Sequence, residues 1–158
     1  MSTTNIRDAV ASDLTAIMRI YFAAVHGLTG EHYDDAQRRA WAPEHLRNDE
    51  EHWRNRLAER EILIGENEGE PGGFCAFTLD GHVDLLFTHP DHARRGIARR
   101  LLEEAEARMR RAGTIQARTG ASRLSRPLFE ELGWLVGDQD FTDVRGARLE
   151  HTNMRKFL

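Results

Sequence analysis

An α/β fold, a mixed central β-sheet flanked by helices, follows from three features of this sequence. Short apolar runs of strand length alternate with stretches of helical periodicity. Asp-Gly and Gly-Pro-rich turns separate neighbouring strand candidates closely enough for hairpins. One strand, residues 83–88, is followed by a turn and a long helix, which is the crossover that joins strands in a mixed sheet. The 158 residues suit one domain spanning 1–158, large enough to bury a core without disulfides or metals.

Residues 5–10 read as a first strand. Ser12 and Asp13 then supply a helix cap before the periodic run Leu14, Ile17, Met18, Tyr21, Phe22 and Val25, which ends near Gly27 or Gly30. The polar stretch that follows, with isolated Tyr33, Trp41 and Trp53, reads as two short helices broken at Pro43. Residues 61–66 and 73–79 are two strands around the turn ENEGEPGG, and Asp80-Gly81 turns the chain into the strand at 83–88. Pro90 stops that strand, and a helix is expected from Arg94, with Ile97, Leu101, Leu102, Ala105 and Met109 on one face and Gly113 as its cap. Its Arg100/Glu104, Glu104/Arg108 and Glu106/Arg110 pairs read as a solvated surface. Residues 114–121 form a strand and residues 125–132 a short helix closed by Gly133. Residues 134–136 and 147–157 are two last strands around the loop GDQDFTDVRG.

A net charge of −4 argues against non-specific nucleic-acid binding as the main activity. The single cysteine, Cys75, lies in the apolar run GGFCAF and reads as a buried, inert thiol. Eight histidines are scattered without HExxH or Cys/His ligand spacing, so no metal is expected. Neither a signal peptide nor a run of 18 apolar residues is present, which points to a cytoplasmic protein with no membrane partner.

Between the strand and the helix, Arg94, Arg95, Gly96, Ile97 and Ala98 place guanidinium groups and small residues beside unpaired backbone N–H groups, a design for binding an anion. The run LLFTHPDHARRGIARRLL resembles the acetyl-coenzyme A (acetyl-CoA) motif of the GNAT superfamily of N-acetyltransferases, and RPLFEELGW resembles that family's second conserved segment. The AWAP stretch preceded by EHY is similar to a subgroup of small bacterial GNAT proteins. The resemblance implies the GNAT fold, with acetyl-CoA as cosubstrate and an amine as acceptor. It places the pyrophosphate over residues Arg94, Arg95, Gly96, Ile97, Ala98 and Arg99, and the pantetheine arm along the backbone of Leu86, Phe87 and Thr88. Ser122, Ser125 and Phe129 would complete the cofactor contacts, although either serine also suits an N-cap. Two residues depart from the family pattern: Ala93 stands where Gln or Arg is usual, and Phe129 where a tyrosine often protonates the leaving thiolate.

An amine acceptor needs a base, because it is mostly protonated at neutral pH. Asp84, expected on the same strand face as Leu86 and Thr88, is the first candidate, with an ion-pair role as the equal alternative. His82, beside the Asp80-Gly81 turn, reads as exposed but remains a candidate. Tyr33 is a rival for proton transfer, and His32, Tyr33 and Trp41 are candidates for contacting substrate. The acceptor is expected to be a small-molecule amine, for which Glu31, Asp34, Asp35 and Asp84 would suit a cationic group. A homodimer is compatible with the sequence. The rival functions are a non-catalytic acyl-CoA sensor or interaction domain, favoured by Phe129, and an acetyltransferase acting on protein N-termini or lysines.

Overall fold

The computed structural model describes residues 3–158. In chain order the elements are β1 (Thr4–Asp8), α1 (Leu14–Leu28), α2 (Asp35–Trp41), α3 (Glu50–Leu57), β2 (Glu61–Asn67), β3 (Glu70–Phe77), β4 (His82–Thr88), α4 (Ile97–Arg111), β5 (Gln116–Ala121), α5 (Arg126–Glu131), β6 (Leu135–Val144) and β7 (Ala147–Phe157). The seven strands form one sheet in the order β1-β2-β3-β4-β5-β7-β6. This is the mixed sheet expected, with β4 and β5 parallel and α4 as their crossover.

Two hairpins are closed by two-residue turns with positive φ at both positions, Glu68-Gly69 (55° and 82°) and Arg145-Gly146 (47° and 84°), the geometry whose twist matches paired strands. Alternation along β2 and β3 divides the core between the two faces of the sheet. Leu63, Cys75 and Phe77 pack against Ile97, Leu101, Leu102, Ala105 and Met109 of α4. Ile64, Phe74 and Ala76 pack against Ile17, Met18, Trp53 and Leu57 of α1 and α3. Gly65 and Gly73 let α4 approach closely, because a Cβ at either would lie 2.6 or 2.7 Å from Ile97 Cγ2. The amino end of α4 is thereby drawn against the centre of the sheet.

Several elements differ from the sequence expectation. The long helix begins at Ile97, because Arg94 (φ 62°) and Gly96 (φ 80°) take left-handed backbone that a helix cannot include. GDQDFTDVRG is mostly strand, with β6 running ten residues. Its side chains from Leu135 to Asp143 are all exposed on a sheet edge, so the apolar alternation that marks a strand is missing. Glu106 does not solvate a surface: it is 2% exposed and holds Lys156 at 2.5 Å, with the Trp134 Nε1 donating to it at 3.3 Å. Arg100 donates to the Thr4 carbonyl and leaves Glu104 to Arg108 and Arg111.

Asp84 also lies elsewhere than expected. Phe77 pairs with Val83 and Ala76 with Leu85, so Asp84 is the extra residue of a β-bulge. The bulge reverses the alternation of faces. Leu85 and Phe87 pack with α1 and α3, Leu86 packs with α4, and Asp84 meets Arg56 of α3. Asp84 therefore shares a face with Leu85 and Phe87, not with Leu86 and Thr88.

Candidate active site

β4 and β5 pair at only two positions, His82 with Arg118 and Val83 with Thr119. Both strands then continue, β4 to Thr88 and β5 to Ala121, without further pairing. The hydroxyl of Thr119 donates to the Val83 carbonyl at 2.8 Å, tying the strands at the point where they part. The resulting cleft gives residues 84–88 a backbone edge with no strand partner on that side. It opens into a cavity of about 1360 Å³ that extends from the amino end of α4 to the β6–β7 turn.

At one end, Arg94, Gly96, Ile97, Ala98 and Arg99 line the cavity. The Arg100 amide donates to the Gly96 carbonyl and starts the helical ladder, which leaves the earlier amides without intrahelical acceptors. A Cβ on Gly96 would meet no protein atom within 4 Å, so glycine leaves this space open. Arg99 is drawn toward Glu131 at 2.7 Å. Arg95 is exposed in the same loop but does not line the cavity.

The other end has an aromatic wall. Tyr21 packs edge-on to Trp53 and to Phe87, at 4.6 and 4.8 Å between ring centroids, and Trp41 joins Phe87 to Tyr33. Asp84 opens onto this end but is held by two cations: Arg56 bonds both of its oxygens, at 2.5 and 3.0 Å, and Arg60 Nε donates at 2.8 Å. Burial pushes the carboxyl pKa up, yet the two guanidiniums outweigh it and the net shift is downward. A carboxylate so held is a poor base. His82 is half-buried and lines the cavity, contrary to its reading as an exposed turn residue, because β5 pairs beside it. Burial lowers its pKa, leaving the imidazole neutral at pH 7.

Tyr33 is 4% exposed. Its phenol oxygen accepts the Arg123 backbone N–H at 3.1 Å, and burial raises its pKa. The Tyr21 hydroxyl, in contrast, donates to the Trp41 carbonyl at 3.2 Å. Arg123 also fastens the α1–α2 connection to the β5–α5 connection. It donates to the His32 carbonyl at 2.9 Å, pairs with Glu150 at 2.7 Å, and stacks on the Tyr33 ring at 5.6 Å. Ser122 and Ser125 engage each other, with Ser125 at the N-cap of α5. Phe129 is 2% exposed and packs on Trp134 at 4.9 Å while touching the cavity.

Of the residues singled out from sequence, His32, Tyr33, Trp41, His82, Asp84, Leu86, Phe87, Thr88, Arg94, Gly96, Ile97, Ala98, Arg99, Ser122, Ser125 and Phe129 all border this one cavity, and Arg95 lies beside it. Sequence reasoning did not find Arg56, Arg60, Thr119, Arg123, Arg145 or Glu150. Each reaches the site through a contact distant in sequence, and no local motif marks any of them. Among the described residues, no group of three or more His, Cys, Asp or Glu could hold a metal ion, and no helix is long and apolar enough to cross a membrane. Burial raises the Cys75 thiol pKa, which fits an inert core residue.

A family model described as an acetyltransferase (GNAT) domain matches residues 29–158. The chain is 28% identical over 158 residues to the uncharacterized N-acetyltransferase YafP of Escherichia coli K12, covering 98% of this chain and 97% of that protein. It resembles the crystal structure of a GCN5-related N-acetyltransferase from Rhodopseudomonas palustris with a TM-score of 0.92 and 28% identity, over 100% of this chain and 98% of that one. YncA from Salmonella typhimurium, solved with its cofactor acetyl-CoA, is similar with a TM-score of 0.66 and 25% identity, over 98% and 94% of the two chains.

Proposed function

The chain belongs to the GNAT acetyltransferase domain family, and from that premise we propose that it transfers the acetyl group of acetyl-CoA to the primary amine of a small molecule by direct attack. The observation that carries this reading is the parting of β4 from β5 beside the amino end of α4. Acetyl-CoA supplies an activated thioester and, as leaving group, a thiolate. The amides of Ile97, Ala98 and Arg99, with the guanidinium of Arg94, would hold its pyrophosphate. The free edge of Leu86, Phe87 and Thr88 would pair with its amide-bearing arm, and an N–H of that edge would donate to the thioester oxygen as negative charge develops.

His82 takes the role of base, directly or through water, since Asp84 is committed to Arg56 and Arg60. Tyr33 replaces the hydroxyl that Phe129 lacks. Its oxygen accepts from Arg123, and its own proton remains available for the thiolate. The Arg123 bonds to His32 and Glu150 brace the segment that carries His32 and Tyr33 at the acceptor end, a fixed wall that supports a small molecule as acceptor.

The test is a thermal shift with acetyl-CoA followed by thiol release across an amine panel. Saturation at about 100 times Kd is expected to raise the Tm by roughly 5–10 °C. No shift would overturn the reading. A shift without amine-dependent thiol release would favour the alternative of a non-catalytic acyl-CoA sensor, to which Phe129 points.

A further inference from the structure

Cations outnumber anions around the acceptor end of the cavity. Arg56 and Arg60 share the single carboxylate of Asp84, while Glu150 is taken by Arg123. Arg145 borders the same end. Its Nη1 donates to the Ala40 carbonyl at 2.7 Å, and among the described residues it forms no ion pair. Glu31, in the exposed α1–α2 connection, is the remaining cavity carboxylate without a cation.

Arg145 occupies a turn position that strongly favours Asn, Asp or Gly, with φ at 47°. The bond to Ala40, next to Trp41 in sequence, holds the guanidinium at the border of the cavity that Tyr21, Trp41 and Phe87 also line. Burial lifts the Tyr21 phenol to about 12, against the opposing pull of Arg56 and Arg145. Both cations are thus felt inside the wall, where Asp84 alone opposes them.

Building on the acetyltransferase reading, we propose that the acceptor is an amino carboxylate, and that Arg145, supported by Arg56, recognises its carboxylate while Tyr21, Trp41 and Phe87 hold its apolar body. This replaces the cationic acceptor that the acidic residues suggested in the sequence. A guanidinium grips a carboxylate through paired hydrogen bonds. The same positive surroundings lower the pKa of the acceptor's amine, so more of it is present as the free base.

The experiment compares amino acids with their decarboxylated amines, phenylalanine with 2-phenylethylamine among them, in acetyl-CoA-dependent thiol release by the native protein and by Arg145→Gln and Arg145→Lys. The native protein is expected to prefer at least one amino acid over its amine by about tenfold or more in kcat/KM, the scale of one charge-assisted hydrogen bond. Arg145→Gln should erase that preference mainly through KM, and Arg145→Lys should restore part of it. Equal or better turnover of every decarboxylated amine would overturn the proposal, as would an unchanged preference in Arg145→Gln or a panel in which neither set is acetylated although acetyl-CoA still stabilises the protein. Loss of that stabilisation in the native protein would instead remove the acetyltransferase reading itself.

Discussion

The Thr119 hydroxyl donates to the Val83 carbonyl across 2.8 Å at the last register pair before β4 and β5 separate. This bond fixes where the cleft begins. Thr119→Val keeps the shape but removes the donor, and is expected to cost about 1–2 kcal/mol in chemical denaturation. Acetyl-CoA affinity, read by calorimetry, should weaken as well, since the point at which the strands part is no longer fixed.

Asp84→Asn separates a structural carboxylate from a catalytic one. Removing one partner of this half-buried cluster should destabilise the fold by roughly 1–3 kcal/mol, while kcat falls far short of the ~10²–10⁴ loss expected for a general base. The native pKa of Asp84 is lowered from 3.8. Its contribution to stability is therefore complete above that pH and is lost as the pH falls through the lowered folded value. Urea midpoints measured down the acid limb should show a flatter fall for Asp84→Asn.

Gly96→Val tests the cradle. The protein itself has room for the side chain, so the apo form should lose only the left-handed backbone penalty, about 1–2 kcal/mol. The thermal shift produced by acetyl-CoA should disappear. A full shift in the variant would place the phosphate site elsewhere.

The roles proposed for His82 and Tyr33 would set opposite limbs of the pH profile. Burial lowers the His82 pKa from 6.5, so activity should fall only below that pH. Burial raises the Tyr33 pKa from 10.0, which puts the alkaline fall above it. His82→Gln should remove the acid limb and Tyr33→Phe the alkaline one, each with a loss of ~10²–10⁴ in rate. Stopped-flow thiol release across pH would read both.

The strand, turn and helix at 83–112 were legible because their signals are local: Pro90, the small residues at the junction, and the apolar stripe of α4. The face of Asp84 was not, since the bulge that turns it is set by pairing with Phe77 and Ala76 on β3. Its partners Arg56 and Arg60 lie 28 and 24 residues away. β6 was hidden for a different reason: an edge strand exposed on both faces needs no apolar alternation. Arg145 looked like part of a charged loop until that strand and its turn were in place.

The burial of Glu106 bears on how the chain's lysine reacts. Lys156 is the sole lysine of the chain, and its nitrogen is occupied by Glu106 at 2.5 Å and by the Leu132 carbonyl at 2.7 Å. Every other basic side chain apart from histidine is an arginine, which does not shed its proton to become a nucleophile. The one ε-amine of the chain is thus held in an ion pair. Lysine-directed labelling will find one residue, already engaged by a carboxylate and a backbone carbonyl.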